Sequence, residues 1–155
     1  MLSHLLGKKS ERSFSVLKPS SSNHLNLAAF PLRILVAEDN LVNQRVSINI
    51  LKQIGYQADI AMNGVEVLEL LYLHTYDVIL MDLQMPKMDG IEATRRILTD
   101  FPQHRCPTII AMTANALECD KQACLDAGMH IYITKPVKRE RLAHALSQCQ
   151  RLLLV

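Results

Sequence analysis

The chain has 155 residues, 49 % of them hydrophobic, and a formal net charge of +2. That length fits one domain of ordinary size with a packed core. There is no Trp, and Phe and Tyr are few, so aliphatic side chains must fill that core. The small net charge and the lack of a dense basic tract argue against nucleic-acid binding. No apolar run is long enough to span a bilayer, and MLSHLLGKKSERS lacks the apolar segment of a signal peptide.

Residues 1–31 read as a flexible leader or linker, with Ser20, Ser21 and Ser22 in a row and weak periodicity. Leu25, Leu27 and Phe30 are apolar positions there that could dock on the domain. A regular pattern occupies 32–155. Ile34 to Ala37 predicts a buried strand that ends in Glu38 and Asp39, and Asn40 is a good cap for the helix that follows. Val42, Val46, Ile50 and Ile54 recur every four residues and predict that helix's apolar stripe, with Gly55 at its end. A short strand over Ala58 to Ala61 leads through Asn63 and Gly64 to a second helix, with Val67, Leu68 and Leu71 inward.

Val78 to Met81 predicts a third strand running straight into Asp82. Pro86, Asp89 and Gly90 then turn the chain into a helix near Ile91 to Leu98. Asp89 and Gly90 read as turn and helix-start residues. Pro102 and Pro107 bracket a polar loop. Thr108 to Met112 predicts a fourth strand that delivers Thr113. A fourth helix covers roughly Leu117 to Ala127, and Gly128 stops it. Ile131 to Thr134 predicts a fifth strand that delivers Lys135. Pro136 is read as the start of a last helix, with Leu142, Leu146 and Cys149 on one face.

Five alternations of strand and helix with short connections imply an α/β fold. The expected form is a flavodoxin-like doubly wound, five-stranded parallel sheet of order 2-1-3-4-5 with five helices. In that order the ends of strands one and three flank the switch point where ligands bind. Glu38, Asp39 and Asp82 would crowd there, and a hard divalent cation, Mg²⁺, would relieve their repulsion. Thr113 and Lys135 reach the same edge and complement phosphoryl oxygens. The residues therefore point to phosphoryl transfer with Asp82 as the nucleophile.

ILVAEDN, YDVILMDLQMPKMDG, IIAMTANA and YITKP, each at a strand end, resemble the motifs of response-regulator receiver domains of two-component signalling. The resemblance runs from about Arg33 to Gln150. MDLQMPKMDG followed by AMTANA and AGM is most similar to receivers of hybrid sensor histidine kinases. It implies that Asp82 accepts a phosphoryl group from a histidine kinase or histidine phosphotransfer protein in a phosphorelay. Glu38 and Asp39 would hold Mg²⁺, with Asp39 the direct ligand, and the Gln84 backbone carbonyl would be a further ligand. Lys135 would bind phosphate, ahead of a cis bond to Pro136. Thr113 and Tyr132 would form the switch, read out over the fourth helix, fifth strand and fifth helix. Gln84 and Asn115 would tune the phosphate's lifetime. Departures from the pattern are His130, Ile131 and Val67.

The resemblance further implies a cytoplasmic domain, or one on the cytoplasmic side of a membrane-bound hybrid kinase, without membrane contact of its own. A weak dimer is left open. Such a receiver catalyses its own phosphorylation and dephosphorylation and is not otherwise an enzyme. Two alternatives remain: an Mg²⁺-dependent phosphohydrolase with an Asp nucleophile, and a degenerate receiver used only for docking. Phosphohydrolases of that kind carry a second Asp two residues after the nucleophile, and Gln84 stands there. Cys106, Cys119, Cys124 and Cys149 show no metal or redox spacing. The six histidines read as solvent-exposed.

Overall fold

The structure is a computed structural model that describes residues 31–114 and 118–154, without the side chains of 118–120 and 154. The expected leader, apart from Pro31, and Leu117 and Asn115 lie outside the described residues. The strands are β1 (Ile34–Ala37), β2 (Ala58–Ala61), β3 (Val78–Asp82), β4 (Thr108–Thr113) and β5 (Ile131–Thr134). The helices are α1 (Leu41–Ile54), α2 (Gly64–Leu73), α3 (Gly90–Asp100), α4 (Glu118–Ala127) and α5 (Arg139–Leu154). The sheet is parallel throughout, in the order β2-β1-β3-β4-β5, as the alternation predicted.

Each central strand is buried on both faces, which is why β1, β3 and β4 read as continuous apolar runs. Alternate residues feed two cores. Leu35, Ile79, Ile109 and Ala111 face α2, α3 and α4, whereas Val36, Leu80, Ile110 and Met112 face α1 and α5. Fully burying a residue such as Leu80 or Ile110 contributes about 1.5–3 kcal/mol, so the two layers hold the strand ends in fixed register.

Asn40, the expected cap, accepts from the Asn43 amide; Asn63 and Asp89, expected as turn and helix-start residues, also cap their helices by accepting from the amides of Glu66 and Glu92. Gly55 ends α1 at φ 113°, which lets its amide bond back to the carbonyls of Leu51 and Lys52.

Three expectations need correction. The buried face of α1 is Gln44, Ser47, Leu51 and Ile54, while Val42 is 67 % exposed and Val46 is 38 % exposed. A strict four-residue spacing drifts around a helix of 3.6 residues per turn, so only Ile54 of the predicted stripe reaches the core fully. Gln44 turns inward because its amide donates to the Glu38 carbonyl at 2.7 Å. Second, α5 starts at Arg139, not at Pro136. Third, the loop between Pro102 and Pro107 holds a short 3-10 turn, Gln103–Arg105. Arg105 reaches from that turn to the carbonyls of Leu71 and His74 and ties it to the end of α2.

Candidate functional site

The carboxyl ends of β1, β3, β4 and β5 open into one cleft of about 800 Å³, lined among others by Glu38, Asp39, Asp82, Gln84, Thr113 and Lys135. The topology brings the predicted group together at the switch point. Asp82 is the last residue of β3 and is 4 % exposed. It cannot swing away, because the Gln84 amide donates to its Oδ1 at 3.1 Å. Lys135 Nζ lies 3.0 Å from Asp82 Oδ2 and 3.0 Å from Glu38 Oε2. Glu38 is 1 % exposed, and its Oε1 accepts from the Asn40 amide. One ammonium thus bridges two buried carboxylates.

The electrostatics follow from that packing. Burial pushes the Glu38 carboxyl upward and its hydrogen bond with Asp82 adds to this, against the pull of Lys135 and the Asn40 amide. Burial works against the Lys135 ammonium, but its hydrogen bonds to Asp82 and Glu38 outweigh this and raise its pKa. Asp39, exposed at the rim, adds a third carboxylate. One ligand oxygen from each of Glu38, Asp39 and Asp82 lies within 4.8 Å of the others. Three acidic groups therefore share one cation. All are hard oxygen donors, few in number, in an open cleft; this set fits Mg²⁺, which keeps several waters, better than Ca²⁺ or a softer metal.

Thr113 closes β4 and is 6 % exposed. Its carbonyl accepts from the Lys135 amide at 2.8 Å, which joins the ends of β4 and β5. The Lys135–Pro136 bond is cis. Tyr132 lies within β5, paired in register with Ala111 and packed on the α2–α4 side of the sheet. It does not line the cleft.

Two residues contribute more here than the sequence suggests. A Cβ on Gly90 would meet the Asp82 carbonyl oxygen at a distance no real atom tolerates, 2.3 Å. The start of α3 therefore lies directly against the Asp82 backbone. Gln44 was also missed; a polar residue in the 44-47-51-54 spacing was the available signal. His130, read as simply exposed, accepts from the Ile109 amide through Nδ1 at 3.2 Å. The described cysteines Cys106, Cys124 and Cys149 lie away from the cleft.

Residues 34–147 match the family model of the response regulator receiver domain. The chain belongs to this family. Histidine protein kinase 1 of Candida albicans is 44 % identical over 158 residues, covering 90 % of this chain and 6 % of that protein. The receiver thus spans a small part of that relative's length. The solved receiver domain of a sensor histidine kinase from Pseudomonas aeruginosa PAO1 is 41 % identical, with a TM-score of 0.69, covering 76 % of this chain and 96 % of that one. It carries a magnesium ion coordinated in its active-site cleft. The receiver domain of a Saccharomyces cerevisiae response regulator, solved with a histidine phosphotransfer signalling protein, is 31 % identical with a TM-score of 0.64, covering 76 % of this chain and 85 % of that one. The resemblance to receivers carried by histidine kinases is borne out.

Proposed function

We propose that this receiver domain takes a phosphoryl group from a phosphohistidine onto Asp82 and passes the change to its surface. The observation that carries the reading is a buried strand-end carboxylate held 3.0 Å from a lysine ammonium, with two further carboxylates beside it. An Asp82 oxygen attacks phosphorus in line. The N–P bond of the donor breaks, its electron pair stays on the imidazole, and an acyl phosphate forms on Asp82. Lys135 moves its hydrogen bonds from the free carboxylate to a phosphoryl oxygen, and the Thr113 hydroxyl donates to another. Glu38, Asp39, Asp82 and the Gln84 carbonyl would hold Mg²⁺, which when bound neutralises charge gathering on the phosphoryl oxygens. A water near Gln84 then attacks phosphorus, the P–O bond to Asp82 breaks, inorganic phosphate leaves and Asp82 returns as the carboxylate. No external metabolite is turned over.

The switch is a shift of population. Thr113 moves toward the phosphoryl group and Tyr132 follows inward, because those contacts exist in only one arrangement. The donor is a histidine kinase or a histidine phosphotransfer protein. Its docking face is the exposed apolar row Leu41, Val42 and Val46 on α1, which begins next to Asp39 at the cleft rim. We assign the receiver to residues 32–155, with 1–31 as leader, on the cytoplasmic side. Among the described residues, no helix is long and apolar enough to cross a membrane.

Acetyl phosphate with Mg²⁺ tests the assignment. The wild-type chain should gain a hydroxylamine-labile phosphoryl group and Asp82→Asn should not; equal labelling of the two would sink it.

A further inference from the structure

Lys121 lies with its ammonium 5.1 Å from the centroid of the Tyr132 ring. That distance is within cation–π range, where the cation meets the negative face of the ring. Lys121 stands on α4 three residues before the buried Cys124, so both lie on the helix face turned to the sheet. Cys124, Ala111 and Tyr132 belong to one packed layer. Tyr132 pairs with Ala111 on β4, and Thr113 follows two residues later on the same side of the sheet. Tyr132 is only partly buried. The ring therefore has a small neighbour, Ala111, toward the sheet and a fixed positive charge from the helix.

We propose that Lys121 is a positioning residue for the switch: its ammonium holds the Tyr132 ring in the partly exposed place seen here and weights the equilibrium against the inward ring. This rests on the reading of Thr113 and Tyr132 as a coupled pair. An inward ring gives up the contact with Lys121, so the ammonium favours the outward arrangement. Cation–π contacts at partly exposed sites are worth enough to shift such an equilibrium about two- to five-fold. The device would set how readily a given amount of phosphodonor engages the output surface, without touching the reacting atoms.

The test uses beryllofluoride with Mg²⁺ as a stable mimic of the acyl phosphate, read by the resonances of labelled tyrosine. Lys121→Met should lower the beryllofluoride midpoint about two- to five-fold and move the Tyr132 ring signal toward its bound position before any addition. Lys121→Arg, which keeps the charge, should restore wild-type behaviour. The midpoint effect of Lys121→Met should vanish in a Tyr132→Leu background. A wild-type midpoint and ring signal in Lys121→Met would overturn the proposal. So would an effect that persists in the Tyr132→Leu background, which would leave the phosphoacceptor assignment standing. No response of the wild-type chain to beryllofluoride would instead remove the site reading, and this inference with it.

Discussion

Gly90→Ala is a small change with a large expected effect, because the new methyl has nowhere to go. Its Cβ would sit 2.3 Å from the Asp82 carbonyl oxygen and 2.9 Å from Met81 Cγ. Ordinary contact needs about 3.4 Å or more, so something must give by about 1 Å. The Met81 side chain can adjust. The Asp82 carbonyl cannot do so alone, since it belongs to a strand end fixed by the Leu83 amide on the Met112 carbonyl and by the Gly90 amide on the Leu83 carbonyl. Overpacking of this kind costs about 1–3 kcal/mol. For a domain of this size that lowers Tm by about 3–12 °C. The displaced backbone carries the Asp82 side chain with it, so labelling by acetyl phosphate should slow at least ten-fold, measured at a temperature where the variant remains folded. Wild-type Tm together with a wild-type labelling rate would refute the claim that α3 lies directly against the Asp82 backbone.

Other substitutions and pH changes follow from the same geometry. Lys135→Met leaves Glu38 and Asp82 buried side by side without their cation. The loss should be about 2–4 kcal/mol in urea unfolding, toward the low end of values for broken buried pairs because the Lys135 side chain is 20 % exposed; an unchanged midpoint contradicts the bridging role. Lys87 sits at φ 67° in a turn closed by the Met88 amide on the Pro86 carbonyl, a rare positive-φ γ-turn. Lys87→Gly should therefore stabilise by about 0.5–1 kcal/mol, the left-handed strain relieved less the entropy of glycine, and a fall in Tm would argue against strain there. Burial pushes the Tyr56 and Tyr76 hydroxyls and the Cys149 thiol up to about 12. Their folded pKa values lie above the unfolded ones, so the neutral forms add stability that is full below about pH 9 and is lost as pH rises toward 12. Urea midpoints should fall over that window, less steeply in Tyr56→Phe; a flat profile would contradict the burial.

The strands and their order were legible because buried parallel strands read as unbroken apolar runs, and each of β1, β3, β4 and β5 delivers a polar residue at its end. Glu38, Asp82, Thr113 and Lys135 could therefore be placed in one cleft from spacing and topology alone. The face of α1 was not legible in the same way. Val42 and Val46 look like core residues, but Gln44 and Ser47 take the inner face, where the Gln44 amide donates to the Glu38 carbonyl. Nor could spacing show that Lys135 pairs with Glu38 as tightly as with Asp82, since that depends on which way two side chains turn inside the cleft. The contact between Lys121 and Tyr132 joins a helix to a strand, and no short-range pattern encodes it. Gly90 announced a turn; only the three-dimensional approach of α3 to β3 reveals why a side chain is excluded there.

The Asp82 carboxyl is the group on which the proposed chemistry depends. Peptide mass spectrometry after acetyl phosphate and Mg²⁺ treatment, with borohydride trapping of the acyl phosphate, locates the modified residue directly. Phosphoacceptor chemistry at Asp82 predicts reduction there, absent when Mg²⁺ is chelated. Modification at Glu38 or Asp39 instead, or none at any of the three, would contradict it.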